Sequence, residues 1–461
     1  QLMKDKSVNS QILWLTVSFT FLSCCFGSGL LSIPSIAVKM GAIPFIIMNL
    51  FAITFSVFCF YQIIENQSQL NCKPKTMTQL ISLHFGKIWL FFFDLSIIFC
   101  LLPISYIAVS ADYFRNFIKT VGHVAAMDEN GWKIGMKFIT CLCVMYPLTW
   151  IKTIKVLNYI ASLSIIFVFT SVGYVIVKFG IWKQTGEILP GVQHAAPAFP
   201  LWPVDSSKIP DVLTYICMFF SLYSMHASIV CIMHEYRFDF KLDNAVVKKQ
   251  IQRAIFYVTL PVAFVVYTGY GLLGLFLFDQ KDCKLLQTPG CLNANSNVLL
   301  SFGEDIAAVV IELLFSVVVF VSFPCMLYPI RKSVIQFTKL QIDMDTRGGV
   351  VKYNLVGLAI TLVCLLTAVF LDDVGQIQSF TANLLGIILY AMSGVMLWYK
   401  KGQPPANFAG FDEQDGLMGE KPEDFVEPIS QQKTVLFWVY IALLVLLNVA
   451  AIGCQVYTWV R

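Results

Sequence analysis

Long apolar runs separated by short polar segments dominate the chain. Eleven runs approach the roughly 20 residues that a helix needs to cross a bilayer. They lie near 11–37, 43–64, 88–110, 137–151, 157–181, 211–233, 254–278, 305–330, 353–371, 375–399 and 433–458. Backbone amides in lipid must be paired within a helix, and the runs lack the two-residue alternation of a membrane β-barrel. The pattern predicts an all-α polytopic membrane protein with eleven transmembrane helices in a single domain, 1–461.

The first run contains helix-weakening residues in its middle. Gly27, Ser28 and Gly29 interrupt it, and Pro34 follows. Interior glycine costs a helix about 1 kcal/mol and proline about 3 kcal/mol. Two interpretations fit the triplet: the backbone unwinds to approach a ligand, or small residues allow two helices to pack closely.

The order of the spans suggests an internal repeat. Spans one to five and spans six to ten can be superposed with opposite orientation in the membrane, which leaves one extra helix. A 5+5 inverted repeat is the plan of many secondary transporters, in which the first helix of each repeat is broken near the bilayer midplane.

Composition supports the membrane class, and charge predicts orientation. The chain is 57% hydrophobic and 13% charged, whereas soluble domains average about 25% charged residues. Most of the 32 Lys and Arg residues fall in alternate loops, which places the N-terminus in the cytosol and the C-terminus on the opposite side. The sequence does not identify which membrane, and the net charge of +4 gives no sign of a nucleic-acid partner.

Ionisable residues inside spans are functional candidates by default because lipid disfavours charge. Glu312 lies in span eight and Asp94 in span three, and either acid is a candidate for coupling transport to protons. The alternative for each is a structural acid that is protonated or hydrogen-bonded. His226 in span six is a candidate for contacting substrate or relaying protons, with a structural hydrogen bond as the alternative.

The remaining chemistry of the chain is sparse. No metal-binding cluster, nucleophile triad or phosphate-binding loop is recognisable, so neither an enzyme nor a cofactor other than a coupling ion is expected. Cys283 and Cys291 share a predicted outer loop and form either a disulfide or two free thiols. The acidic cytosolic loop 400–432 is either a flexible linker or a docking surface for a protein partner.

Several segments, in chain order, resemble one known family. They are FGSGLLSIPSIAVKMG from Phe26, PLTWIKTIKVLNYIAS from Pro147, SMHASIVCIMHEY from Ser224, GYGLLGLFLF from Gly269 and SFPCMLYPIRKSV from Ser322. Together they resemble the amino acid/auxin permease family, closest in pattern to its sodium-coupled neutral amino acid transporter (system A/N) branch. The resemblance implies the LeuT-like fold of the APC superfamily.

The resemblance also implies a substrate site at two broken helices. The substrate carboxylate would meet the first break, and its amino group would meet the second, with a tyrosine of span three as another wall. The residues carried over are Gly27, Ser28, Gly29, Leu30 and Leu31, then Tyr106, then Tyr223, Ser224 and His226.

Two departures from the family pattern concern ion coupling and span six. Ser23 stands where the sodium-coupled branch usually has Asn, while the span-eight hydroxyl is kept as Ser322, so these two serines are candidate ion ligands. Span six has no Gly or Pro between Val212 and Tyr236, so a break would rely on Ser221, Ser224 and Ser228. This indicates an uninterrupted span six and a weak second half of the site.

The resemblance implies a secondary active transporter of neutral amino acids, a symporter that works by alternating access and is coupled to H⁺ or Na⁺. The alternative is a transporter-like protein that no longer transports and serves as a subunit of a larger membrane complex or as an amino acid sensor. That alternative is favoured by the absence of Gly and Pro in span six, by the serine at position 23 and by the acidic loop.

Overall fold

The structure is a computed structural model of the chain. It describes residues 14–15, 17–27, 29–69, 74, 76–99, 103–124, 127, 129–150, 154–189, 192–193, 199–203, 209–223, 225–239, 242–278, 294–303, 305–338, 340–343, 346–371, 377, 379, 382–386, 388–401 and 430–460. Four of the predicted site residues, Ser28, Ser224, Cys283 and Cys291, lie outside these ranges, as does most of the acidic loop.

The apolar runs form helices, as their length and composition require. In chain order the helices are α1 Val17–Cys25, α2 Gly29–Met40, α3 Ala42–Gln69, α4 Met77–Phe85, α5 Lys87–Phe99, α6 Pro103–Gly122, α7 Asn130–Ile139, α8 Ile154–Thr185, α9 Ile209–Leu222, α10 His226–His234, α11 Asn244–Gln252, α12 Leu260–Leu277, α13 Ile306–Phe337, α14 Arg347–Phe370, α15 Ser393–Tyr399 and α16 Gln431–Val460.

Short irregular helical segments connect or extend several of these helices. π-Helical turns occur at Thr140–Met145, Glu235–Asp239, Arg253–Thr259, Ala382–Gly386 and Ile388–Met392, and a 3₁₀ turn occurs at Val298–Phe302. A two-stranded antiparallel hairpin, β1 (Glu187–Leu189) and β2 (Val192–Gln193), follows α8.

The described helices confirm a polytopic membrane protein. Seven spans are long and apolar enough to cross a membrane, and an eighth consists of α1 and α2, whose axes bend by 49° at a short break. The predicted total of eleven spans, the inverted repeat and the orientation of the termini stay predictions.

The loop before α9 covers the start of α3. The Ala42 N–H donates to the Pro200 carbonyl at 2.9 Å, which satisfies an amide that the helix leaves free. Gly41 has a φ of +80°, and a Cβ there would lie 2.7 Å from the backbone carbonyl carbon of Trp202. Glycine is therefore required for this close approach of loop and helix.

The helices pack around a core of aromatic side chains. Helix α13 packs against α6 and α8, α12 packs against α2, and α9 packs against α16. The largest side chains that are almost fully buried are Tyr113, Tyr223, Tyr267, Tyr270, Phe21, Phe26, Phe45, Phe60, Phe93, Phe219, Phe220 and Phe278. Many of them come from the first span, from α9 and the residue after it, and from α12, so these elements form the centre of the core.

A buried arginine joins three helical segments at the end of α13. Arg331 is 2% exposed, its Nη1 donates to the Thr149 carbonyl at 3.2 Å, and its Cζ lies 4.3 Å from the ring centroid of Tyr353. Among the described residues no carboxylate pairs with it, so a carbonyl and an aromatic face stabilise the cation. Gly357, one turn beyond Tyr353 on α14, leaves the room that the guanidinium occupies.

We expect Gly357→Ala to destabilise the protein by about 1–3 kcal/mol, because added atoms in a packed site force their neighbours to move. The new Cβ would lie 2.8 Å from Arg331 Cζ. The measurement is the thermal unfolding midpoint of the detergent-purified protein. Gly173→Ala on α8 is the matched control, since its Cβ would have no atom within 4 Å. Equal midpoints for the two variants would contradict the role given to Gly357.

A buried histidine lies in the short helix α4, between two spans. His84 is 4% exposed, and neither ring nitrogen has a hydrogen-bond partner in the described part of the chain. Burial, with a further contribution from the positive charge of Lys400, lowers the pKa of His84 to about 4. The folded protein therefore holds this imidazole neutral at pH 7.

The low pKa of His84 predicts loss of stability on acidification. In the unfolded chain a histidine has a pKa of about 6.5, so as pH falls the unfolded state takes up the proton first. Stability then declines from about pH 6.5 and levels off below about pH 4, by a total on the order of 3 kcal/mol. His84→Leu should flatten this part of the stability profile. His123→Asn, at an exposed histidine with a φ of 52° that Asn tolerates, should leave it unchanged.

Candidate functional site

The first span is interrupted where the glycines predict. Helix α1 ends at Cys25 and α2 begins at Gly29, while the Gly27 N–H donates to the Cys25 carbonyl at 2.9 Å and the Leu30 N–H donates to the Gly27 carbonyl at 3.2 Å. These short-range bonds form a tight turn in place of the helical ladder.

The two glycines of this break face neighbouring helices. A Cβ on Gly27 would lie 3.1 Å from Cζ of Tyr106 on α6, and a Cβ on Gly29 would lie 3.2 Å from Cδ2 of Leu222 on α9. Tyr106 is 3% exposed. The helix is interrupted at the triplet and its two described glycines pack closely against other helices, while the approach of a ligand stays a prediction.

Span six, Thr214–Arg237, is long and apolar enough to cross the membrane as one span, but its helix is interrupted within it, which corrects the expectation of an uninterrupted helix. Helix α9 ends at Leu222 and α10 begins at His226, with Met225 at φ −102° and ψ 6° and its N–H donating to the Tyr223 carbonyl at 2.9 Å. The hydroxyl of Ser221 donates back to the Met218 carbonyl within α9. Side chains of other helices contact the residues on either side of this break.

Two polar networks hold the second break. The Tyr223 hydroxyl donates to Asn49 Oδ1 of α3 at 2.7 Å, and Asn49 Nδ2 donates to the Thr268 hydroxyl of α12 at 2.8 Å. Ser228 Oγ lies 3.7 Å from Cys24 Sγ, so α10 also meets α1. Tyr223 and Asn49 are both fully buried.

One tyrosine contacts both breaks. The Tyr267 hydroxyl lies 2.6 Å from the Cys25 carbonyl oxygen and 3.0 Å from the Leu222 carbonyl oxygen, and it donates its one proton between them. The ring is fully buried and packs edge-on against Phe26 and Tyr223. The C-terminal ends of α1 and α9 therefore lie at the same depth in the bundle.

This arrangement brings N-terminal and C-terminal helix ends together, and these ends carry partial charges of opposite sign. The starts of α2 and α10 present N–H groups with partial positive charge, and the ends of α1 and α9 present carbonyl oxygens with partial negative charge. Within the described part of the breaks no Asp, Glu, Lys or Arg side chain is present. Such a site suits a small molecule that carries both charges and no net charge.

Comparison with known families gives a match over most of the chain, including both breaks. A model described as transmembrane amino acid transporter protein matches residues 10–409. The chain belongs to this family. The resemblance to amino acid/auxin permeases is thereby confirmed.

Individual members similar to the chain bear the name sodium-coupled neutral amino acid transporter 7. The Danio rerio protein is 22% identical over 308 residues, covering 64% of this chain and 58% of that protein. The Xenopus laevis protein is 23% identical, covering 65% and 61%, and the Homo sapiens protein is 22% identical, covering 82% and 77%. The chain spans about three fifths of the length of the first two. The family and these relatives are transporters, not enzymes.

The structure shows the surroundings of five family-derived substrate residues. Leu30 and Leu31, in the first turn of α2, have fully buried side chains, so only their backbone is suited to face a ligand. Tyr106 and Tyr223 lie at the two breaks. His226 instead packs its ring against Phe60 of α3 at 4.5 Å and against Tyr390 at 5.3 Å between centroids.

The residues predicted to couple ions are all buried, and no two of them share a hydrogen bond among the described residues. Ser23 is 5% exposed and Ser322 is 2% exposed, and the Ser322 hydroxyl has no hydrogen-bond partner in the described part of the chain. Glu312 is fully buried in α13 near Asn116 of α6, and Asp94 is 1% exposed at the predicted cytosolic end, beside Ser333 and Thr78. The described residues contain no group of three or more His, Cys, Asp or Glu side chains placed to hold a metal ion.

Tyr267 and Asn49 are site residues that the sequence did not single out. Each is a polar residue within a strongly apolar span, and such residues usually face the bundle interior. That rule indicates burial for both. It does not indicate which atoms they contact, because those belong to helices distant along the chain.

We expect Tyr267→Phe to remove the bond that joins the breaks. It leaves two buried carbonyls without this donor, which costs about 1–3 kcal/mol, so the thermal unfolding midpoint in detergent should fall. Tyr257→Phe is the matched control on the same span, since Tyr257 is 79% exposed. A Tyr267→Phe protein as stable as the control would show that the hydroxyl does not hold the two breaks.

Proposed function

We propose that the chain is a secondary active transporter of neutral amino acids that works by alternating access. The observation that carries this proposal is the pair of helix breaks joined through Tyr267, in a chain of the amino acid transporter family. The start of α2 would hold the substrate carboxylate, and carbonyls at the ends of α1 and α9 would hold its ammonium group.

The lining of the breaks supports neutral amino acids as the substrate class. Phe26, Tyr106, Leu222 and Tyr223 surround the breaks, and none of them carries a charge. A side chain with a net charge would lose its hydration there without gaining an opposite charge. The names of the relatives point to the same class of substrate.

The breaks also provide the mobile elements that alternating access needs. Each half of spans one and six ends within the bundle, so a half-helix can tilt without bending an intact helix. Coupling to Na⁺ or H⁺ would drive accumulation, with Ser23, Ser322, Glu312 and Asp94 as the candidate ion residues. The N-terminus would face the cytosol.

The proposed function is tested with purified protein in liposomes. We expect exchange of labelled neutral amino acids across the membrane, and accumulation when a sodium or proton gradient is imposed. Lysine and glutamate should compete poorly. Absence of both exchange and uptake for all amino acids would overturn the proposed transport function. It would favour the alternative of a subunit or sensor that does not transport.

We expect Gly29→Val to abolish exchange and uptake while the protein still folds. The valine Cβ would lie 3.2 Å from Leu222 Cδ2, so the side chain would add volume where the start of α2 already contacts the end of α9. Gly180→Val on α8, where a Cβ would meet nothing within 4 Å, is the matched control. Normal exchange by Gly29→Val would show that the substrate binds elsewhere.

A further inference from the structure

A group of buried and half-buried polar side chains lies in the predicted outer half of the bundle, apart from the helix breaks. It comprises Glu312 of α13, Asn116 and Tyr113 of α6, Tyr270 of α12 and Asn297 next to the 3₁₀ turn. We call it the Glu312 cluster. Three of its polar atoms, Glu312 Oε1, Tyr270 Oη and Asn297 Nδ2, have no hydrogen-bond partner in the described part of the chain.

Glu312 has a polar partner but no opposite charge. Its Oε2 accepts a hydrogen bond from Asn116 Nδ2 at 2.8 Å, and the side chain is 0% exposed. Among the described residues no Lys, Arg or His forms an ion pair with it. Asp112, the charged group that acts on it most, has the same sign. An ionised carboxylate here would be unpaired in a low-dielectric interior, which costs several kcal/mol.

The two neighbouring acids, unlike Glu312, form ion pairs. Asp112 forms an ion pair with Arg115 at 3.6 Å, and Asp305 forms one with Lys178. Asp305 also accepts a hydrogen bond from the Tyr174 hydroxyl at 2.8 Å. Both acids can stay ionised, so the Glu312 carboxyl is the acid of this region that needs a proton.

No ion pair to this carboxyl comes from the described residues of the elements packed on α13. Helix α6 contributes Asp112, Arg115, Lys119 and Tyr113, and α8 contributes Tyr174 and Lys178, which pairs with Asp305. Helices α5 and α14 place their groups, Asp94 and Tyr353, near Ser333 and Arg331 at the other end of α13. The hydrogen bond from Asn116 is therefore the polar contact that the described residues give to the Glu312 carboxyl.

The cluster connects the outer edge with the helix breaks. Asp305, with a side chain 16% exposed, lies seven residues before Glu312, which is two turns along the same face of α13. On the inner side, Tyr113 donates to Asn297 Oδ1 at 2.9 Å and lies within electrostatic range of Glu312 and Tyr270. Tyr270 is one turn from Tyr267 on α12, and Tyr267 contacts both breaks.

We propose that Glu312 is the proton-binding site through which this transporter is coupled to a proton gradient. The proposal rests on the proposed transport function. A proton from water on the outer side forms an O–H bond at the carboxyl, and the same bond breaks when the proton leaves to water on the other side. Binding neutralises the buried charge, which favours the closed packing of α6, α8 and α13 seen here.

The chemistry around Glu312 favours a proton over a metal cation. A hard cation takes several oxygen ligands, whereas the hydrogen bond to this carboxyl comes from an amide N–H donor. A proton needs a single oxygen and little space. Sodium binding at this carboxyl is the competing outcome of the experiment.

The experiment compares wild-type and Glu312→Gln protein in liposomes, with two readouts. Counterflow exchange of a labelled neutral amino acid needs no ion gradient, and accumulation is driven by an imposed pH or sodium gradient. We expect Glu312→Gln to keep exchange and to lose pH-driven accumulation down to the level of exchange alone. It should also lose amino acid-dependent proton uptake, followed with a pH-sensitive dye. Gln keeps the size of Glu and can still accept the Asn116 bond, so the protein should fold.

Matched variants separate this proposal from its rivals. Ser316→Ala, one turn away and bonded to the Glu312 backbone carbonyl at 3.0 Å, should keep pH-driven accumulation. Glu312→Asp, which restores a carboxyl, should recover part of it. Loss of proton coupling in Asp94→Asn but not in Glu312→Gln would overturn the proposal.

The failure of this proposal can be told from the failure of the proposed function. Exchange by the wild-type protein, with accumulation driven by sodium alone, would support the proposed transport function and refute the proton site. Proton uptake that Glu312→Gln retains in full would refute it as well. Absence of wild-type exchange would instead refute transport itself.

Discussion

The hydroxyl of Tyr267 is the interaction on which the architecture of the site depends. An interrupted helix leaves backbone carbonyls without partners, and at membrane depth no bulk water is present to satisfy them. Tyr267 serves the ends of two such helices at once, through Cys25 and Leu222, which lie almost 200 positions apart in the chain. Because one hydroxyl must reach both carbonyls, the two breaks are held at one depth. A site built from both follows directly from that constraint.

The two breaks differ in how far the sequence can predict them. At the first, Gly27 and Gly29 weaken the helix locally, and the bend of 49° lies where they stand. At the second, no residue between Val212 and Tyr236 is a helix breaker, yet the helix stops at Leu222. Tertiary contacts accompany this break: the Tyr267 hydroxyl donates to the Leu222 carbonyl, and the Tyr223 hydroxyl donates to Asn49 Oδ1. Helix propensity depends on the type of each residue and therefore does not report contacts with distant helices.

The same limit applies to side chains whose position along a helix is predictable but whose environment is not. Hydrophobic runs locate Glu312 and Asp94 inside spans and His226 next to a break. They do not show that Asn116, 196 residues earlier, faces Glu312, nor that Phe60 and Tyr390 enclose His226. Membrane helices can be located from the sequence because the lipid environment requires an apolar composition. Pairing between helices has to be seen in three dimensions.

The separation between Glu312 and the breaks is itself informative about coupling. Ion and substrate can influence each other only through an element that contacts both sites and responds to each. Helix α12 meets this condition, since Tyr267 holds the breaks and Tyr270, one turn away, lies within electrostatic range of Tyr113 in the Glu312 cluster. Its close packing on α2, where a Cβ on Gly274 would lie 2.7 Å from Pro34 Cα, leaves little room for independent motion. A tilt of α2 around a bound amino acid therefore has to move α12, and with it the surroundings of the buried carboxyl.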